Sequence, residues 1–255
     1  LLDEARVDLE AALPILERLE MGFEKARALA GLARIDLQSS RFPAAVDRAD
    51  DARSAFLGVA NRRLADRAAL LAIESCLADG RFDAAEARLS SMSTTDPEDL
   101  PEATRIGMHA MRSMLADARG RSDEALTAAR TSLTVAEALG IGPLVIECGS
   151  RLASMQLRHE SSDAALVTAR ETVDRLEGLR AGFAANRLRS AFLSSRTEAF
   201  EVLVAALVAR GDEASCREAF EVVERARSRG LLERLVGGPV DRLEGGGSEE
   251  IRSEE

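Results

Sequence analysis

The sequence predicts an all-α protein: a right-handed solenoid of helical hairpins with a period of about 40 residues, ending in a longer helix pair. Composition is the first observation. Ala, Leu, Arg and Glu dominate the chain, all four favour helices, and aromatic residues are only 3% of the total. The second observation is a segment that recurs at a fixed spacing, and the third is a turn pattern before each recurrence.

The recurring segment is a helix start found at 2–12, 42–52, 82–92, 122–132 and 162–172. Two positions of the segment carry the same type of residue in all or nearly all copies, and we call each such set of equivalent residues a column. The first column is Asp3, Pro43, Asp83, Asp123 and Asp163, and the second is Ala5, Ala45, Ala85, Ala125 and Ala165. Asp or Pro suits a first helical turn, where backbone N–H groups lack acceptors and the dipole is positive. The Ala lets a neighbouring helix approach closely, because a larger side chain would cost about 1–3 kcal/mol in overpacking.

A second helical pattern precedes each turn, at 21–37, 61–78, 101–118 and 142–157. The turns themselves cover 38–42, 78–82, 118–122 and 158–162. Each repeat is therefore predicted to be two antiparallel helices joined by a tight turn. Pro14 is expected to interrupt and kink the first helix, because proline has no N–H to donate.

The pattern divides the chain into three regions. Residues 1–183 are expected to form the helical repeats, beginning in mid-repeat at a second helix whose partner would lie upstream. Residues 184–236 are expected to form the longer hairpin, with one helix over 186–210 and another in 216–235. Residues 237–255 have the composition of a flexible linker.

Charge and motif content exclude several classes of function. The net charge of −10 argues against nucleic-acid binding, and without a membrane-spanning apolar run we expect a cytoplasmic protein. P-loop, GxSxG, HExxH and EF-hand motifs are missing, so we expect no cofactor, no metal and no enzymatic activity. Cys76, Cys148 and Cys216 are expected in the core, and the isolated His109 and His159 are expected to face solvent or to be satisfied core residues.

The hairpins, with GRF at their turns, resemble tetratricopeptide repeats, although Ala, Leu, Ile and Ser occupy the usual aromatic positions. Residues 190–235 are similar to the last two helices before the caspase-like protease domain of bacterial TPR–CHAT proteins. The matching residues are Phe192, Leu193, Arg196, Ala219, Phe220, Glu224, Arg225, Ala226, Arg227, Ser228, Arg229, Leu231 and Leu232. The catalytic His and Cys of that protease each follow a strand, and no strand pattern follows Leu235, so the resemblance implies a regulatory arm without the protease.

Two groups of residues are candidates for function. The repeat register predicts that the concave groove of the solenoid, where such proteins bind extended peptides or helices, is lined by Arg27, Arg34, Arg67, Glu74, Glu147 and Ser154. The resemblance implies a domain-coupling helix that carries Phe220, Glu224, Arg225, Ser228, Arg229 and Leu232, with an apolar stripe through Cys216, Phe220 and Val223. The alternatives are ordinary solvated charges for the first group and a terminal packing helix for the second.

The expected function is a non-catalytic scaffold that binds a protein or peptide in the concave groove and controls an adjacent CHAT protease domain. The alternative is the repeat sensor arm of a bacterial signalling ATPase or transcriptional activator. The sequence that follows residue 255 in the parent gene separates the two, because a strand followed by His and another followed by Cys would indicate the protease.

Overall fold

The chain is an all-α solenoid in which each helix contacts the next along the sequence. The structure, a computed structural model, describes residues 2–92, 100–181 and 198–237, with side chains in the last two ranges described up to Leu179 and Arg227. The helices in these ranges are α1 (Leu2–Arg18), α2 (Gly22–Gln38), α3 (Phe42–Gly58), α4 (Arg62–Ala78), α5 (Phe82–Met92), α6 (Glu102–Ala118), α7 (Ser122–Leu139), α8 (Gly142–His159), α9 (Ser162–Ala181), α10 (Glu198–Arg210) and α11 (Glu213–Gly237). The described residues contain no strand, so the predicted fold class is confirmed.

The helices begin at a constant interval. From α2 to α9 the first residues are 22, 42, 62, 82, 102, 122, 142 and 162, so one helix and its turn together take 20 residues. The predicted first helices start within one residue of α2, α4, α6 and α8. The expected interruption at Pro14 was wrong, since α1 continues through it as one helix.

The C-terminal helices depart from this interval. The predicted boundary at 183/184 and the first part of the predicted helix 186–210 lie outside the described residues, as does most of the predicted linker. Within the described part, α10 and α11 form a hairpin, and α11 is the longest helix at 25 residues.

A left-handed residue ends six of the described helices, at multiples of twenty in the numbering. Positive φ angles occur at Glu20 (56°), Ser40 (57°), Ala60 (55°), Gly80 (72°), Gly120 (71°) and Gly140 (65°). At the second of these, Ser40 N–H donates to the Leu37 carbonyl at 3.1 Å and Arg41 N–H donates to the Asp36 carbonyl at 2.8 Å. The same pair of bonds, a Schellman motif, also occurs at residues 20, 60, 80 and 120. The motif satisfies the last carbonyls of one helix and turns the chain into the next.

Because the helices start at a constant interval, one alanine of each second helix lies in the same packed position. Ala45, Ala85, Ala125 and Ala165 are all 0% exposed, which confirms the predicted column. Ala5 is exposed because α1 lies at the end of the described stack. The core is therefore built from close helix contacts at small residues rather than from large aromatic side chains.

Charged side chains connect successive repeats. The buried Asp36 carboxylate of α2 accepts hydrogen bonds from Arg6 of α1, from Arg41 Nε (2.9 Å) and from Arg48 Nη1 (2.6 Å) of α3. Arg48 Nη2 also donates to Glu10 of α1 at 2.7 Å, which ties α1 to α3. A buried carboxylate is tolerated here because several guanidinium donors surround it.

The next seam, between α3 and α5, repeats this bridge. Arg88 of α5 donates from Nη1 and Nη2 to the two Asp50 oxygens, both at 2.7 Å. Arg88 is 40 residues after Arg48, and Asp50 is 40 residues after Glu10. The position equivalent to Asp36 is now the buried Cys76, whose Sγ lies 3.3 Å from Arg81 Nη2. The arginine column is thus kept while its acceptor changes.

The left-handed position predicts opposite effects for two matched substitutions. Ala60→Gly should raise the free energy of unfolding by about 0.5–1 kcal/mol, because Gly adopts this φ without the steric cost that Ala has. Gly80→Ala should lower it by about 1 kcal/mol through the backbone alone, since a Cβ at Gly80 would meet no atom within 4 Å. Urea unfolding of both variants measures the effect. A loss of stability in Ala60→Gly would contradict the assignment of residue 60 to the turn.

Candidate functional site

The six predicted groove residues lie on three first helices. Arg27 and Arg34 are on α2, Arg67 and Glu74 on α4, and Glu147 and Ser154 on α8. Four of the side chains are exposed and those of Glu74 and Ser154 are half-buried. They occupy two columns of the repeat, 27/67/147 and 34/74/154, that avoid the packed alanine and leucine positions of the same helices.

Two of the six residues contact each other across the repeat boundary. Arg34 Nη1 of α2 lies 3.0 Å from Glu74 Oε2 of α4, and the two residues are equivalent positions of adjacent repeats. Both side chains are accessible to water, so the pair stabilises the fold by less than about 1 kcal/mol. Its main effect is to hold both charges on one surface.

The sequence did not single out Arg151, which lies one helical turn after Glu147 on α8. Its side chain is 16% exposed, its Nη1 lies 2.6 Å from Met114 Sδ, and its Nη2 lies 3.8 Å from Glu147. Its Nε is buried without a hydrogen-bond partner among the described residues. Nearby, Arg158 Nη2 donates to Ser154 Oγ at 3.3 Å. A cation with spare hydrogen-bonding capacity therefore lies beside Glu147, the one acidic residue of α8.

Glu198, at the start of α10, belongs to the same surface. Burial raises the pKa of its carboxyl group, and Arg151 opposes the shift. Glu147 and Glu74 add to the rise in pKa through like-charge repulsion. Helix α10 packs against α8, which brings Glu198 to the side of the stack that carries Arg151. The predicted residues of α2 and α4 include the three arginines Arg27, Arg34 and Arg67, whereas Glu147 and Glu198 are acidic.

The last helix presents a different face from the predicted one. Ser215, Ala219 and Val222 are buried, whereas Phe220 is 66% exposed and Cys216 is also exposed. The predicted stripe through Cys216, Phe220 and Val223 was therefore wrong in phase by one residue. The correction makes Phe220 a large apolar side chain on the outer surface of α11.

Other members of the predicted coupling group are charged and lie near α9. Arg225 Nη1 is 3.9 Å from Glu177 Oε1 of α9, and Arg227 Nη1 is 3.7 Å from Glu224 Oε1. Arg170 of α9 makes a two-bond contact with Glu218, at 3.1 and 2.7 Å. Ser228, Arg229 and Leu232 lie outside the residues whose side chains are described. Ion pairs thus tie the first half of α11 to α9.

His159 is half-buried and its two ring nitrogens both have hydrogen-bond partners, in line with the expected alternative of a satisfied residue. Its Nδ1 lies 3.0 Å from Ser122 Oγ and its Nε2 lies 2.6 Å from Asp117 Oδ1. This hydroxyl–imidazole–carboxylate order also occurs in serine hydrolases. Here it joins the end of α6, the start of α7 and the end of α8, and Arg158 also donates to Asp117. A carboxylate shared with a guanidinium is less able to stabilise an imidazolium, which favours a structural role.

The cysteines and the potential metal ligands form no further candidate site among the described residues. Cys76 and Cys148 are buried as predicted, but Cys216 is exposed, so the prediction for that residue was wrong. Among the described residues, no group of His, Cys, Asp and Glu side chains could hold a metal ion. In the same part of the chain, no helix combines the length and apolarity needed to cross a membrane.

Comparison with known proteins identifies the fold but not the family. No protein-family model matches the chain, and no curated protein matches it either. A similar solved structure is the crystal structure of BtubC (BKLC) from P. vanneervenii, with a TM-score of 0.63, 15% sequence identity and coverage of 99% of both chains. At this identity the similarity shows the fold alone, an all-helical arrangement along nearly the whole of both chains.

The corrected phase of α11 predicts a contrast between two apolar residues. Val222→Ala should lower the free energy of unfolding by about 2 kcal/mol, because it removes buried methyl groups and leaves a cavity. Phe220→Ala should change it by less than about 0.5 kcal/mol, because the ring is mostly in water. Urea unfolding followed by circular dichroism measures both. A cost of about 3 kcal/mol or more for Phe220→Ala would place the ring in a core and contradict the outward assignment.

Proposed function

We propose that the chain is a non-catalytic module that binds a protein or peptide in the concave groove and regulates a neighbouring domain. The observation that carries the proposal is the set of charged side chains on the first helices α2, α4 and α8, which lie outside the packed positions of the repeat and include the Arg34–Glu74 pair between adjacent repeats. A solenoid offers such a surface over several repeats, and an extended segment fits along it.

The charge distribution of the groove indicates the chemistry of its ligand. Arg27, Arg34 and Arg67 favour an acidic segment at the α2–α4 end. Glu147 and Glu198 favour a basic residue at the α8–α10 end, and a cation bound there would offset the burial and the like-charge repulsion that raise the pKa of Glu198. The ligand would therefore be a peptide with acidic and basic residues at opposite ends.

The regulated neighbour, by resemblance, is a caspase-like CHAT protease domain in a bacterial cytoplasmic protein. The exposed Phe220 supports a coupling role for α11, because a single large apolar side chain next to charged residues suits a contact with another domain. The paired Arg225 and Glu177 would transmit a movement of α9 to α11.

Groove binding is tested by site-specific cross-linking followed by affinity measurement. A photoreactive benzoylphenylalanine at Arg67, in the groove, should capture a ligand from extracts of the source organism. The same residue at the exposed Asp51 of α3 should not. With the captured ligand purified, Arg67→Ala and Glu147→Ala should each weaken binding about tenfold, as expected for loss of one charged contact, whereas Asp51→Ala leaves it unchanged. Equal capture at both positions, or unchanged affinity in both groove variants, would reject the groove as the site.

The coupling helix is tested in the longer parent protein. Arg225→Ala combined with Arg229→Ala should change ligand-dependent activation of the neighbouring domain, while the helical signal and melting temperature of the repeats stay the same. Arg217→Ala is the matched control, because Arg217 lies on the same helix and pairs only locally with Glu213 at 2.8 Å. Activation equal to wild type in the double variant would argue against coupling through α11. An ATPase or DNA-binding domain after residue 255 would replace the protease by the alternative function.

A further inference from the structure

The outer side of α11 carries a straight stripe of five exposed residues. Glu213, Arg217, Phe220, Glu224 and Arg227 follow one another at alternating steps of four and three residues, which places them on one side of a helix. All five side chains are exposed, including the large apolar ring of Phe220. With about 3.6 residues per turn, the buried residues of α11 lie roughly on the opposite side of the helix. We call these five residues the α11 stripe.

Two further apolar residues lie beside the ring at the centre of the stripe. Cys216 precedes Phe220 by one helical turn and is exposed, and Val223 follows it by one turn and is half-buried. A single exposed apolar side chain is ordinary on a protein surface, whereas neighbouring ones form a patch that gains free energy when another surface covers it. The centre of the stripe is therefore apolar and both of its ends are charged.

The charges of the stripe are complementary to those of a second, antiparallel copy. Glu213 lies seven residues before Phe220 and Arg227 seven after it, while Arg217 lies three before it and Glu224 four after it. A second α11 that crosses the first antiparallel at Phe220 therefore brings Arg227 opposite Glu213 and Glu224 opposite Arg217. Twofold symmetry forms each of these pairs twice. A parallel arrangement in register would bring each charge against its like, so the order of charges favours the antiparallel one.

Within one chain, the charged residues of the stripe are paired along the helix. Arg217 Nη2 lies 2.8 Å from Glu213 Oε1, and Arg227 Nη1 lies 3.7 Å from Glu224 Oε1. These side chains are mostly in water, which screens the pairs, so each pair adds little to the stability of the helix. A second copy brings an opposite charge to each of them, so that no charge is left unpaired where the two helices meet.

The rest of the stack holds α11 in place, so the stripe is presented by a fixed helix. Arg170 of α9 donates to Glu218 at 2.7 Å, and Arg225 Nη1 lies 3.9 Å from Glu177 Oε1 of α9. Both contacts use residues of α11 outside the stripe. A surface that is already ordered loses less conformational entropy when it binds, which favours association even through a small interface.

We infer that two copies of this chain associate through the α11 stripe, with the two helices antiparallel about a twofold axis at Phe220. The two rings pack against each other and against Cys216 and Val223, and the charged residues pair across the axis. Because the interface is one helix wide, the dimer is weak, with a dissociation constant of about 10–100 μM. The association requires neither a groove ligand nor a protease domain. It covers Phe220, so a neighbouring domain would contact α11 on the side of Arg225.

Sedimentation equilibrium of the full chain, over about 1–200 μM, measures the dissociation constant of the dimer. Phe220→Glu should weaken the dimer about tenfold or more, because it removes the central ring and places two like charges at the axis. Val167→Glu is the matched control, since it adds the same charge at another exposed apolar residue, on α9. It should leave the dissociation constant within about twofold of the wild-type value. Circular dichroism verifies that both variants are folded.

Charge reversal tests the orientation of the two helices. Glu213→Arg and Arg227→Glu should each weaken the dimer about threefold or more, because each places like charges opposite one another at two points. The double variant should return to within about twofold of the wild-type dissociation constant, because the reversed charges pair again. A wild-type chain that stays monomeric at about 200 μM would overturn the proposal, as would a dimer that Phe220→Glu leaves intact. A folded double variant that does not recover would overturn the antiparallel arrangement.

Discussion

Two backbone hydrogen bonds around a left-handed residue end one helix and set the start of the next at residues 20, 40, 60, 80 and 120, and the later described helices keep the same 20-residue interval. Because this closure is so short, the helices cannot drift in phase, and equivalent residues of successive repeats meet the same environment. The shared alanine position depends on this: Ala45 and Ala85 fit tightly against neighbouring helices only because each helix starts at the same point relative to its turn. The arginine column of the seams depends on it too, since Arg48 and Arg88 reach back to acids of the preceding second helix only in that register.

Much of this arrangement could be predicted from the sequence, because the alanine and aspartate residues recur every 40 residues and can be recognised without a structure. The left-handed positions were harder to recognise. Glycine marks them at 80, 120 and 140, but Glu20, Ser40 and Ala60 occupy them elsewhere and carry no local signal of a positive φ. Pro14 misled for a related reason, since a proline inside a helix predicts a break that α1 does not have.

The candidate site was predicted in part. The exposed columns follow from register alone, so Arg27, Arg67 and Glu147 could be placed. Arg151 and Glu198 could not, because their proximity depends on how the stack curves, which no single repeat encodes. The buried face of α11 was predicted wrongly, because Phe220 is more apolar than Ser215 and was therefore assigned to the core. This solenoid packs through small residues, so Ser215 and Ala219 face inward instead.

Departures from the repeat are the most informative feature of the chain, because sequences tend to break a local rule where a function requires it. Cys76 in place of Asp36 is a change of acceptor within an intact seam. Arg105, His109 and Arg112 of α6 stand where α4 and α8 carry buried small or apolar residues, and the charges predicted for the groove avoid the packed positions altogether. The residues that pack the repeats and the residues proposed to bind a ligand thus occupy different positions of one repeat.

Amide hydrogen exchange, followed by NMR, tests the closure most directly. The N–H groups of Arg41, Asn61, Arg81 and Arg121 lie in turns, yet each donates to a carbonyl of the preceding helix at 2.8 Å, so they should exchange slowly. Asp83 and Asp123, two residues further along, lie in a first helical turn without an acceptor in the helix and should exchange fast. Equally fast exchange at Arg81 and Asp83, and at Arg121 and Asp123, would contradict the account.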